Sequence, residues 1–153
     1  VKLSDAIDEA LDEAVKAGDV SKSPLAIEAD GRKAEINVVD ADRIGVRVRA
    51  VKVDRGVPVD VAAEAVALPD RARSLQEPVV PLEVDTRIGR AVLRTEPGAI
   101  RRREFFDIGL DGSGEIDVQR YRVNDDGDRD RVDWTMTRDQ LGRLLDELTT
   151  ESS

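Results

Sequence analysis

The side chains whose types and spacing could do chemistry in this chain are arginines and carboxylates. Arg101, Arg102 and Arg103 are followed, one hairpin later, by Arg120 and Arg122. Alternate residues of a strand share a face, so Arg101 or Arg103 is expected beside Arg120 and Arg122. Phe105, Tyr121 and Trp134 fall nearby in sequence. A positive stripe interleaved with aromatic rings is what single-stranded nucleic-acid binding requires. These five arginines are therefore the candidate contacts for nucleic acid or another anion. The competing reading is an exposed sheet face, on which they pair across strands with Asp107, Glu115 and Asp117.

Carboxylates offer less. The run Asn124-Asp125-Asp126-Gly127-Asp128-Arg129-Asp130 is dense in oxygen ligands and invites a calcium reading. A calcium loop of the helix–loop–helix type starting at Asp126 needs Gly and Glu where Arg131 and Thr137 stand. A solvated hairpin turn is expected instead. Asp111-Gly112-Ser113-Gly114 lacks the lysine of a phosphate-binding loop and joins two strands, so a flexible hairpin tip is expected. With 33 Asp+Glu, carboxylate pairs meet by chance, and nothing marks one as a glycosidase-type pair. The chain has no His and no Cys, which removes imidazole general bases, catalytic triads, thiolate nucleophiles and Cys-based zinc or iron–sulfur centres. No catalytic, cofactor-binding or metal-ligating residue is assigned, and an enzyme is not expected.

The 153 residues suit one domain, or two small ones. Lys+Arg number 24, giving a formal charge of -9, with 37% charged, 40% hydrophobic and 3% aromatic residues. That balance repels phosphate backbones at long range, although it can hide a local basic stripe. The preference for Arg, Asp, Val and Ala suits a GC-rich genome or a salt-adapted host. No apolar run approaches the ~18–20 residues of a membrane span, so no membrane partner is expected. The acidic, amphipathic stretch from Val1 to Val15 does not read as a secretory signal, and a cytoplasmic location is expected.

Hydrophobic periodicity supplies the elements that must position these groups. Leu3, Ile7, Leu11 and Val15 predict a helix over 4–17, capped by Ser4 and stopped at Gly18. Leu25, Ile27 and Ala29, then Ala34, Ile36 and Val38, alternate about a type I′ turn at Asp30-Gly31. A turn near Asp40–Asp42 leads to Ile44, Val46 and Val48. The phase flips at Ala50, since Val51 and Val53 follow, which predicts a bulge or a sheet buried on both faces. Val57, Val59 and Val61 alternate like a strand, but Pro58 to Leu68 is read as a helix, with Pro58 at its first position and Pro69 at its end. Gln76 to Pro81 is the candidate linker. Further strands are expected at Val80–Val84, Ile88–Leu93, Phe106–Leu110 and Ile116–Val123, with a last one through Val132, Trp134 and Met136. Thr137-Arg138-Asp139-Gln140 is a capping box that starts a helix with Leu141, Leu144, Leu145 and Leu148 on one face.

The expected fold is α+β: antiparallel meander hairpins packed by N-terminal, middle and C-terminal amphipathic helices. It is read as a single domain over 1–153. Any division into sub-lobes would fall near 76–81, between 1–75 and 79–148, and 149–153 is expected to fray. The expected core comprises Ile7, Leu11, Ile27, Ile36, Val46, Val48, Leu82, Phe106, Ile108, Val118, Trp134, Leu141, Leu144 and Leu145.

Two resemblances accompany this reading. The stretch Ile116-Asp117-Val118-Gln119-Arg120-Tyr121, the Gly127 turn, and Met136-Thr137 leading into Leu141, Leu144 and Leu145 resembles the PUR-type single-strand nucleic-acid binders. It covers about a third of the chain. It implies a curved antiparallel sheet followed by a helix that often pairs two chains. The order of helix, three-strand meander, helix, strands and final helix is similar to that of small acidic secretion chaperones. That likeness implies a dimer that binds extended peptide segments. The absent catalytic inventory, the acidic surface and the Leu-rich terminal helix make a non-enzymatic protein-interaction module, chaperone- or adaptor-like, the leading expectation. A homodimer or a protein partner is expected, with Leu141, Leu144, Leu145 and Leu148 as the candidate oligomer helix. Single-stranded nucleic-acid binding through the Arg stripe is the alternative.

Overall fold

The computed structural model describes residues 2–18, 24–96 and 103–150. The N-terminal helix α1 runs over Leu3–Ala17 and buries Leu3, Ile7 and Leu11. Its cap differs from expectation. Lys2 is the N-cap, its backbone N–H donating to the Asp5 carboxylate at 3.2 Å, and Ser4 lies inside the first turn. Gly18 ends the helix in the left-handed region at φ 69°.

The first meander is formed by β1 (Leu25–Ala29), β2 (Arg32–Ala41) and β3 (Gly45–Asp54). Ile44, expected in the strand, lies in the turn before it and is exposed. Asp30 and Gly31 both have positive φ, as the type I′ turn demands. The phase flip in β3 is a bulge. Asn37 stands opposite Ala50 while Val38 stands opposite Val48, so Arg49 is skipped and Val51 and Val53 return to the core.

The middle helix α2 spans Val61–Arg71, later than expected. Asp60 caps it, accepting from the N–H of Ala63 at 3.2 Å, and Pro58 precedes it without joining. Pro69 sits in its last turn, and the helix ends two residues later. A short 3₁₀ turn, Arg73–Leu75, leads to β4 (Val79–Asp85). Strands β5 (Arg90–Thr95), β6 (Glu104–Asp111) and β7 (Glu115–Val123) follow. The expected last strand is divided into β8 (Arg129–Val132) and β9 (Trp134–Thr137), and helix α3 spans Arg138–Thr149. Thr149, expected to fray, is buried in the last turn and its hydroxyl donates to the Leu145 carbonyl at 2.8 Å; 151–153 lie outside the described residues.

Strand order is β1-β2-β3-β7-β6-β5-β4, and the paired strands are antiparallel. One sheet therefore joins the residues before and after 76–81 through β3–β7 pairing, and Pro81 lies inside β4. The three helices cover the face that carries Ile36, Val48, Val118, Ile108 and Leu93. Leu141, Leu144, Leu145 and Leu148 are fully buried in this core, where each contributes roughly 1.5–3 kcal/mol of apolar burial. The capping box of α3 forms as predicted: the Gln140 N–H donates to Thr137 Oγ1 at 3.0 Å, and the Thr137 N–H donates to Gln140 Oε1 at 2.9 Å.

Polar contacts fix the helices. Arg138 reaches from α3 to Asp8 at 2.7 Å and Asp12 at 2.8 Å on α1. Gly142 lets Ser4 of α1 approach closely. Glu64, buried on α2, receives Arg55 at 2.9 Å and Arg71 at 2.7 Å, and Arg55 also donates to the Thr150 carbonyl. At one end of the sheet, Arg55 N–H donates to Gly114 O, Val59 N–H to Gly112 O, and Gly112 N–H to Gly89 O. The Asp111–Gly114 tip is thus pinned by neighbouring turns, a correction to the flexible tip expected. A Cβ on Gly114 would collide with the Val57 carbonyl oxygen, and φ there is +99°. Among the described residues, no helix is long and apolar enough to cross a membrane.

Candidate functional site

The arginine stripe does not assemble as the sequence suggested. Arg101 and Arg102 lie outside the described residues. Arg103 precedes β6, is exposed, and pairs with Asp125 of the 124–130 turn, whose pKa is lowered by that hydrogen bond and by the arginine's charge. Glu104 stands opposite Arg122 and Phe106 opposite Arg120, so Arg103 falls outside this alternation.

Arg120 faces the core side and is only 5% exposed. Its guanidinium bonds Glu104 at 3.1 Å and Glu77 at 3.3 Å and lies over the Phe106 ring. Glu77 also accepts from the Thr95 hydroxyl at 2.7 Å, and Thr95 Oγ1 accepts from the Phe106 N–H at 2.7 Å. Arg120 is a buried structural cation, and its partners are Glu77 and Glu104 rather than Asp107, Asp117 or Glu115. Asp107 instead pairs with Arg94 at 3.4 Å, and Glu115 with Lys52 at 3.5 Å. Arg122 remains exposed.

On the helix-free face, Phe105 and Tyr121 stack with centroids 6.0 Å apart. The Arg94 guanidinium covers the Phe105 ring at 4.5 Å, and Arg129 stands at 5.7 Å. Phe105 is consequently 5% exposed, and the Tyr121 hydroxyl donates to Gln119 at 2.7 Å. A base could stack on Phe105 only after displacing Arg94.

The feature that sequence reading missed is the junction where β3 and β7 part. β8 pairs with β7, β9 pairs with β3, and Asp133 is the single residue between them. The β3 bulge at Arg49 lies at the same level, since Ala50 faces Gln119 while Val48 faces Trp134. Two clefts of about 460 Å³ and 340 Å³ flank the junction and share Arg47 and Asp133. Arg47 and Arg49 approach Asp133 at 3.7 and 3.8 Å, and Arg122 and Arg131 line the smaller cleft. Trp134 lines the larger one, edge-on to Phe106 at 5.2 Å, and its shielded Nε1 has no acceptor. The alternation of Val132, Trp134 and Met136 concealed this site, because pairing partners are invisible in periodicity.

The second unexpected surface is β4. It is an edge strand, and Leu82, expected in the core, is 54% exposed. Val80, Val84 and Ile88 are 37%, 41% and 68% exposed. A register shift between Pro81 and Glu83 turns Leu82 outward. The candidate oligomer leucines, by contrast, are enclosed by the chain's own sheet and helices, so α3 can meet a partner only through its other face.

Within the 124–130 turn, Asn124 Nδ2 donates to Asp130 at 2.6 Å and the Asp128 N–H donates to Asp126 at 3.1 Å. Among the described residues, no group of three or more acidic side chains is placed to hold a metal ion. Comparison with protein-family models, with curated proteins and with solved structures finds no match to this chain.

Proposed function

We propose that this chain is a non-enzymatic protein-interaction module, adaptor- or chaperone-like, that forms a homodimer through edge strand β4. The observation that carries this reading is the exposure of Val80, Leu82 and Val84 on β4, and of Ile88 in the turn after it, at a sheet edge with no further strand among the described residues. An edge strand presents main-chain donors and acceptors to any further strand, and proteins usually blunt it with charge. Here β4 carries its two charges, Glu83 and Asp85, towards its end, and Val79-Val80-Pro81-Leu82 carries none. A two-fold partner covers the same apolar side chains on both copies at once. Pro81 suits an edge position, where a missing N–H does not interrupt an interior ladder. The same reading takes the module to act in the cytoplasm.

Light scattering on the eluting protein tests the proposal. The expected mass is twice that of the chain and persists as salt rises, because apolar contacts are not screened. Leu82→Glu is expected to give the single-chain mass with unchanged circular dichroism. A single-chain mass for the unaltered protein at every salt concentration would remove the dimer. Binding of a labelled oligonucleotide that weakens steeply with salt would favour the nucleic-acid alternative.

A further inference from the structure

We infer that the junction between β3 and β7 is a second binding site, which receives an acidic, extended segment of a partner protein. Among the described residues, β8 pairs only with β7 and β9 only with β3. Each therefore has one strand edge without a ladder, in the stretch that lines both clefts. An extended peptide can add there by main-chain hydrogen bonds, the mode of strand addition.

Charge selects the peptide. Arg47, Arg49, Arg122 and Arg131 gather around this edge in a chain whose formal charge is -9. Asp133 lies close to Arg47 and Arg49 but leaves its buried Oδ1 without a hydrogen bond. Incoming carboxylates would complete the guanidinium pairs that Asp133 only approaches. The larger cleft supplies the apolar anchor point, with Trp134, Phe106 and Met136 in its wall. The Trp134 Nε1–H, shielded and without an acceptor, is a donor awaiting a carbonyl or carboxylate oxygen.

A peptide fits these features better than a polynucleotide. Glu77, Glu104 and Asp133 are interleaved with the arginines, which suits separate carboxylates and opposes a continuous run of phosphates. Trp134 is nearly buried and cannot act as a stacking platform.

The test uses a fluorescein-labelled ten-residue peptide alternating glutamate and leucine, with a lysine–leucine peptide and a ten-nucleotide oligothymidylate as comparisons. Trp134 is the only tryptophan of the chain, so its emission reports on this site. The expected result is a rise in anisotropy and a shift of Trp134 emission with the glutamate peptide alone. Arg47→Ser with Arg49→Ser, and separately Arg122→Ser, should each weaken binding by about tenfold, with unchanged melting as the folding control. Leu82→Glu should bind as the unaltered chain does, which separates this site from the β4 edge. Equal binding of the two peptides, binding of the oligonucleotide alone, or binding that leaves Trp134 emission unmoved would overturn the inference.

Discussion

The Arg120 guanidinium carbon lies 4.4 Å from the centre of the Phe106 ring, on the core side of the sheet. A cation held there by Glu77 and Glu104 ties the segment before β4 to strands β6 and β7. Arg120→Met should remove the charge and leave two poorly hydrated carboxylates. The expected cost is about 3 kcal/mol by urea denaturation, the scale for breaking a buried ion pair. Oligonucleotide anisotropy should not change. A stable variant with altered oligonucleotide binding would contradict the structural role.

Glu64 ties helix α2 to Arg55 at the end of β3, and Arg55 in turn reaches the Thr150 carbonyl just after α3. Glu64→Gln removes the charge that Arg55 and Arg71 share at 2.9 and 2.7 Å, and should cost about 3 kcal/mol of unfolding free energy. Replacing both members of the innermost pair, as Glu64→Leu with Arg55→Met, should recover part of that loss, since apolar packing can substitute for a buried ion pair. Chemical denaturation of the single and double variants measures both outcomes.

Gly114→Ala should destabilise by about 2 kcal/mol or more, because a positive φ and a collision with the Val57 carbonyl oppose the methyl group together. Gly127→Ala is the control. It also has a positive φ, of 88°, but nothing lies within 4 Å of its added carbon. The smaller loss there isolates the backbone term, and equal losses would show that the turn cluster is not tightly packed.

Two acids predict opposite pH behaviour. Asp117 has its pKa raised, first by desolvation and then by Asp107, against the Gly109 N–H, Lys52 and Arg90. The folded state therefore binds its proton more tightly than the unfolded chain, and this group's contribution to stability falls as pH rises from 3.8 through the folded value. Asp117→Asn should raise the melting temperature near neutrality and lose that advantage in acid.

Asp42 is lowered instead, by the N–H groups of Gly45 and Ile44, and its contribution is present above 3.8 and lost as pH falls through the folded value. Asp42→Ala should lower the melting temperature near neutrality and flatten its acid limb. Thermal melts across acid and neutral buffers measure all three proteins.

The alternating strands, the Asp30-Gly31 turn, the Gly18 stop and the capping box at Thr137 were legible because each depends on neighbours in sequence. Leu82 was not, because an alternating apolar strand reads alike at the edge and at the centre of a sheet. The Arg120 pairing was hidden for a related reason: Glu77 comes from the segment before β4, and only tertiary contact brings it close. Glu64 left a usable signal, since it falls three residues after Val61 in the stripe that continues through Ala65 and Leu68. A carboxylate on the buried side of a helix asks for a buried cation. The junction at Asp133 left none, since its continuous alternation is compatible with one partner strand or two.

The single-residue bridge at Asp133 also acts as a parity lock. Val132 and Trp134 face the same side only because one residue separates them. Inserting or deleting one residue there would invert every side chain of one arm, bringing Trp134 out of the interior while the other arm kept its orientation. Substitution is tolerable at this point in a way that a change of length is not, and natural variation at position 133 should alter the side chain and spare the spacing.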